Sequence, residues 1–178
     1  MDLMHIDDIK SLAYRAHNDS EYREELFNAT LGGEGREAYY AAWALTHLPK
    51  EDNIYIDTRR EELTAFAIST PDTSLRRLSL VLLERLEWGR ETLDDERYVQ
   101  LLDFCLEHMM LADETYGVKA LCMKIAYQMC RHYPELKGEL RQSLLLMEPS
   151  ELGAGVKHTR KKILDQINLN QNEKNKKN

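Results

Sequence analysis

Four of the six histidines, His17, His47, His108 and His132, stand in or near the last turn of helix-like stretches. An imidazolium there meets the negative end of the helix dipole and bonds carbonyls left open by the helix, so a structural role accounts for them better than a metal does. Cys105, Cys122 and Cys130 lie on apolar faces without CxxC spacing or a histidine arrangement that reads as zinc, and are expected to be buried free thiols. Asp94, Asp95 and Glu96 cluster where a helix begins, a place in which the dipole favours negative charge. The stretch LGGEGRE around Gly32 and Gly33 follows no strand and lacks the Lys and Ser/Thr of a phosphate-cradling loop, so it reads as an inter-helix turn. No catalytic residue, metal or cofactor is therefore expected, and the chain does not read as an enzyme.

Charge is more informative. The formal net charge of −7 hides an uneven distribution. Acids such as Glu21, Glu24, Glu61, Glu62, Asp103 and Glu107 gather in one set of segments, whereas Arg76, Arg77, Lys119, Lys124, Arg131, Lys157 and Lys162 gather in another. From Lys157 to Asn178 there are seven basic and two acidic residues, which leaves the remainder more acidic than the whole.

The elements that must position these charges are helices. Four segments share one pattern about every 40 residues: Gly35 to Leu48, Thr73 to Leu86, Tyr116 to Met129 and Gly155 to Ile167. Leu75, Leu78, Leu82 and Leu86 fall on Val118, Leu121, Ile125 and Met129, recurring three and four apart as one helix face requires. Each follows another amphipathic stretch: Glu21 to Leu31, Arg59 to Ser69, Asp95 to Met110, and Pro134 to Met147. Thr58 with Glu61 suggests a capping box, and Pro71 and Pro134 suit first-turn positions. No run alternates as a strand would, so the chain is all-α.

Chaining such hairpins predicts a right-handed α-α superhelix of about four repeats, with the second helix of each lining the concave side. If the aligned apolar positions face the core, helical spacing names the opposite stripe. It runs Arg36, Tyr39 and Trp43 on the first such helix, Arg77, Val81 and Glu84 on the second, Lys124, Tyr127 and Arg131 on the third, and His158, Lys162 and Asp165 on the fourth, and its aromatic and basic members are the candidate partner-binding residues. Aromatics interleaved with basic residues resemble a binding hot spot. Equally, Trp43 and Tyr127 fit as half-buried groups between repeats, with the lysines solvating an outer face.

Arg15 to Asn18 reads as the end of a short leading helix that caps the stack. Residues 1–167 are expected to form a single domain, and the polar stretch 168–178 to be disordered for want of anything to bury. Acids in the opening MDLMHIDDIK argue against a secretory signal, and no stretch approaches the roughly 20 apolar residues of a membrane span, so a cytoplasmic protein is expected.

The segments YGVKALCMKIAYQMC, PELKGELRQSLL and GVKHTRKKIL resemble those of short bacterial HEAT-like, armadillo-type α-superhelical proteins of unestablished function, with GREAYYAAWALTHL extending the likeness towards the N-terminus. The resemblance implies a scaffold. It points to a non-catalytic interaction module whose basic, aromatic concave face takes a protein or peptide of acidic character. The alternative is a nucleic-acid-binding protein resembling the HEAT-like DNA alkylation-repair glycosylases, which use a basic concave surface on a similar scaffold. The acidic remainder of the chain would repel phosphate outside such a groove, which favours the protein partner. Partner identity and oligomeric state are not written in the composition.

Overall fold

A computed structural model describes the backbone of residues 4–89, 95–131 and 133–175, and their side chains except at 95, 134 and 170–175. Every regular element among the described residues is helical. The chain divides into two compact units, Met1–Leu86 and Glu87–Asn178.

The first unit opens with α1 (Ile6–Asn18), α2 (Ser20–Gly32) and α3 (Gly35–Thr46). A 3-10 turn at Lys50–Asp52 leads into the short α4 (Asn53–Thr58), then α5 (Arg60–Ser69) and α6 (Thr73–Glu84). Ile9, Ala13 and Ala16 bury one stripe of α1, which packs on α2 and α3. Helix α3 packs on α2 and α6, and α5 on α6. The core between α3 and α6 is built from Ala38 and Ala42 against Leu75 and Leu78, small against large.

Aspartates set two of the boundaries. Asp19, the one residue between α1 and α2, accepts from the Tyr22 amide at 3.0 Å, and Asp72 accepts from the Ser74 and Leu75 amides at 2.8 and 3.0 Å. Pro71 therefore stands just outside α6 instead of in its first turn, whereas Pro134 does open its helix. The capping box expected from Thr58 and Glu61 does not form. Thr58 ends α4, a helix the sequence pattern did not reveal, and its hydroxyl donates to the Tyr55 carbonyl at 2.7 Å. Ile56, fully buried, anchors that extra turn.

The second unit comprises α7 (Asp95–His108), α8 (Tyr116–Cys130), α9 (Pro134–Leu146), a 3-10 turn at Pro149–Glu151, and α10 (Ala154–Asn175). Helix α8 is central and packs on α7, α9 and α10. Val118, Leu121, Ile125 and Met129 are buried as their spacing requires, and so are Cys122, Met123 and Ala126. Tyr98 of α7 donates its hydroxyl to the Met129 carbonyl at 2.7 Å, and burial raises the pKa of that phenol. Cys105, Cys122 and Cys130 are buried thiols. Helix α10 continues to Asn175, past the expected boundary at 167. Once a packed first half has nucleated a helix, each added residue gains a hydrogen bond without needing a core, so polar Asn, Gln and Lys can prolong it. Residues 176–178 of the expected disordered tail lie outside the described residues.

The glycine at position 33 has a steric reason. A Cβ at Gly33, between α2 and α3, would lie 2.2 Å from the Ala29 carbonyl oxygen and 2.6 Å from the Ala38 Cβ, while one at Gly32 meets nothing within 4 Å. Gly33→Ala is expected to destabilise the first unit by about 1 to 3 kcal/mol in urea unfolding, because backbone has to move. Gly32→Ala, on the last residue of α2, is expected to leave stability equal or slightly higher.

Candidate binding surface

The proposed stripe separates into an aromatic part in the first unit and a basic part in the second. On α3, Tyr39 and Trp43 are half-buried and pack, with Phe66, on the Ala38, Ala42, Leu75 and Leu78 cluster. Their rings lie 5.9 Å apart at 45°, and Trp43 approaches the His47 ring at 6.3 Å. Arg36 is exposed at the start of the same helix, and Arg77 is half-buried on α6. Much of the aromatic surface in this unit thus closes the contact between α3 and α6.

In the second unit Lys124 and Arg131 are exposed and Tyr127 half-buried, three positions spaced along the least buried stripe of α8. His158 and Lys162 are exposed on α10, as are Lys157 and Lys161. Because α8 and α10 pack together, cationic side chains emerge from adjacent helices. Arg131 donates to Glu87 at 2.9 Å in a solvent-exposed pair. Arg160 turns back to donate to the Leu144 carbonyl at 2.6 Å and ties α10 to α9.

Sequence reasoning missed a charged network that joins α1, α2, α4 and α5. Asp52 is buried and receives Arg23 at 2.9 Å and the His17 Nδ1 at 2.8 Å. The Arg23 guanidinium lies 4.7 Å from the Tyr55 ring centre, and the Tyr55 hydroxyl donates to Glu24. Glu24 also pairs with Arg59, which donates to Glu62 at 2.6 and 2.8 Å. The Tyr55 phenol is pushed up to about 12, first by burial and then by its bond to Glu24. The Tyr55 hydroxyl and Arg59 hold the Glu24 carboxyl below its ordinary value, and the Arg59 hydrogen bond does the same for Glu62. His17 therefore bonds a carboxylate in place of the helix carbonyls expected for it. His108 is similar, with Nδ1 2.7 Å from Glu114 and its ring stacked on Phe104 at 3.9 Å. These histidines face carboxylates and not a hydroxyl or thiol, an arrangement that holds helix ends together. His132 lies outside the described residues.

Lys119 was counted with the surface lysines, yet it is only 6% exposed. Its spacing from Cys122, Ala126 and Cys130 places it in phase with a buried flank of α8, a signal the charge count overrode. Among the described residues no group of three or more His, Cys, Asp and Glu side chains could hold a metal ion, and no helix is long and apolar enough to cross a membrane.

The acid-base network carries a pH prediction. Carboxyls depressed in the fold stabilise it above their unfolded value and lose that contribution as pH falls through the folded one. Glu24 and Glu62 are about half exposed, so each pair is worth under about 1 kcal/mol. Arg59→Met should lower unfolding free energy at neutral pH, and its deficit against the wild type should shrink as pH falls below the ordinary carboxylate range and both carboxyls protonate.

A family model described as a HEAT repeat domain matches residues 2–167. No curated protein and no solved structure matches the chain.

Proposed function

Because the chain belongs to the HEAT repeat domain family, a helical repeat scaffold, we propose that it is a non-catalytic, cytoplasmic interaction module for a protein or peptide partner of acidic character. The observation that carries this reading is the cationic surface of the second unit. Lys124 on α8 and Lys157, His158, Lys161 and Lys162 on α10 are all exposed on two helices that pack side by side. Repeat scaffolds bind through extended faces of this kind, and surface charge of one sign steers an oppositely charged partner and sets its register. Tyr127, half-buried on the α8 stripe, adds a rigid amphipathic surface beside the lysines.

Lys124→Glu/Lys162→Glu should fold with an unchanged unfolding transition, because both side chains are exposed. Immobilised wild type is expected to retain a partner from host lysate after nuclease treatment, and the double variant to lose it. Retention that disappears with nuclease would replace the protein partner with nucleic acid. Equal capture by wild type and variant would remove this surface from the binding site.

A further inference from the structure

The first unit holds a cavity of about 280 Å³ lined from α1, α2 and α3. Its walls are mostly aliphatic, supplied by Leu12 of α1, Leu26 and Ala29 of α2, and Ala41 of α3. Alanine at two of these places leaves the space that larger side chains would fill. Two tyrosines add flat surfaces to the lining. Tyr40 is 6% exposed, and its hydroxyl accepts from the Met4 amide at 3.2 Å, which fixes the ring. Tyr22 carries the Arg15 guanidinium 3.7 Å from its ring centre, and Arg15 also reaches Asp19 at 4.0 Å.

The charged residues of the lining are both acids, Glu25 on α2 and Glu37 in the first turn of α3. Both are exposed, so they stand at the edge of the cavity, and neither makes a hydrogen bond or ion pair among the described residues. Hydrated carboxylates of this kind cost the fold nothing and are open to a partner. No lysine, arginine or histidine among the described residues lines the cavity to answer them. An apolar recess edged by acids fits a side chain that is aliphatic along its length and cationic at its tip. Arginine fits better than lysine, because its planar guanidinium can donate to acceptors on two helices at once and its face stacks on tyrosine.

We propose that this cavity receives an arginine side chain of a partner polypeptide, with the aliphatic stem against Leu12, Leu26 and Ala41 and the guanidinium facing Glu25 and Glu37. The site gives the first unit an acidic contact of its own. It goes beyond the cationic surface of α8 and α10 and does not rest on it, since the two lie on separate units and take opposite charges.

The test titrates the ¹⁵N-labelled full chain with the blocked peptide acetyl-Gly-Ser-Arg-Ser-Gly-amide and with the same peptide carrying citrulline, the uncharged isostere of arginine, while amide shifts are followed by NMR. The arginine peptide should shift the amides of Leu26, Ala29 and Ala41 and bind at least about fivefold more tightly than the citrulline peptide. Glu25→Gln/Glu37→Gln should remove that preference. Glu21→Gln/Glu61→Gln, which neutralises two exposed acids away from the cavity, should keep it. Ala29→Leu, which fills the cavity and leaves every charge in place, should abolish binding. Equal affinity for the two peptides in the wild type, or no shift at these amides, would overturn the proposal without any variant having to fold. So would a preference that survives Glu25→Gln/Glu37→Gln, or one lost equally in Glu21→Gln/Glu61→Gln, which would reduce it to general attraction towards an acidic surface. Shifts of the same amides on raising protein concentration without peptide would assign the cavity to a second copy of this chain and overturn it too.

Discussion

A helical hairpin cannot cover its own apolar stripe, and every other feature of this protein follows from the need to bury that stripe on a neighbour. Helix α8 shows the consequence most fully. With α7, α9 and α10 packed around it, its buried arc includes Val118, Leu121 and Ile125 together with Lys119, Cys122 and Met123. A helix so enclosed has only a narrow outward stripe, which holds Lys124 and Arg131. The thiols lie inside the same enclosure. Burial raises Cys130 to about 12, and Cys105, hydrogen-bonded to the Cys122 thiol and fully buried, is also raised, so both act as small hydrophobes and not as nucleophiles.

In the first unit the same constraint is met with charge as well as apolar surface. Asp52 is buried because Arg23 and His17 reach it from α2 and α1, and Arg59 joins α5 to α2 through Glu24 while lying 4.6 Å from the Phe27 ring centre. Arg85, at the end of α6, donates to the Pro49 carbonyl and to Asn53, at 3.0 and 2.6 Å. Arginine suits these places because its planar fork serves several acceptors at once while its stem packs. A basic residue here is a structural fastener, so counting Arg85 with the surface charge overstates what a partner meets.

Periodicity made the eight long helices of the hairpins legible to within a few residues, since their apolar spacing is the physical cause of the packing. It could not reveal α4, which is too short to show a period and is held by Ile56 alone among its residues that bury fully. It also misplaced the limit of α10, where helix propagation outlasts the core. For the surface, spacing identified Lys124, His158 and Lys162 as outward, and the structure exposes all three. Tyr39 and Trp43 were equally outward by spacing on α3 alone, but α6 covers part of that face. A single helix's pattern carries no information about which second neighbour will arrive.

The lysines of the second unit illustrate how one residue type serves two physical ends. Exposed ammonium groups on α8 and α10 act at the range of the Debye length, roughly 8 Å in physiological salt, and influence mainly encounter rate and salt dependence. Lys119, only 6% exposed as a residue, instead lends its stem to the buried flank of α8 and so serves packing. The two uses are compatible because the aliphatic stem and the ammonium of a lysine suit different environments. A scaffold built from packed hairpins supplies both, as the arc it buries and the stripe it leaves outside are opposite sides of the same helices.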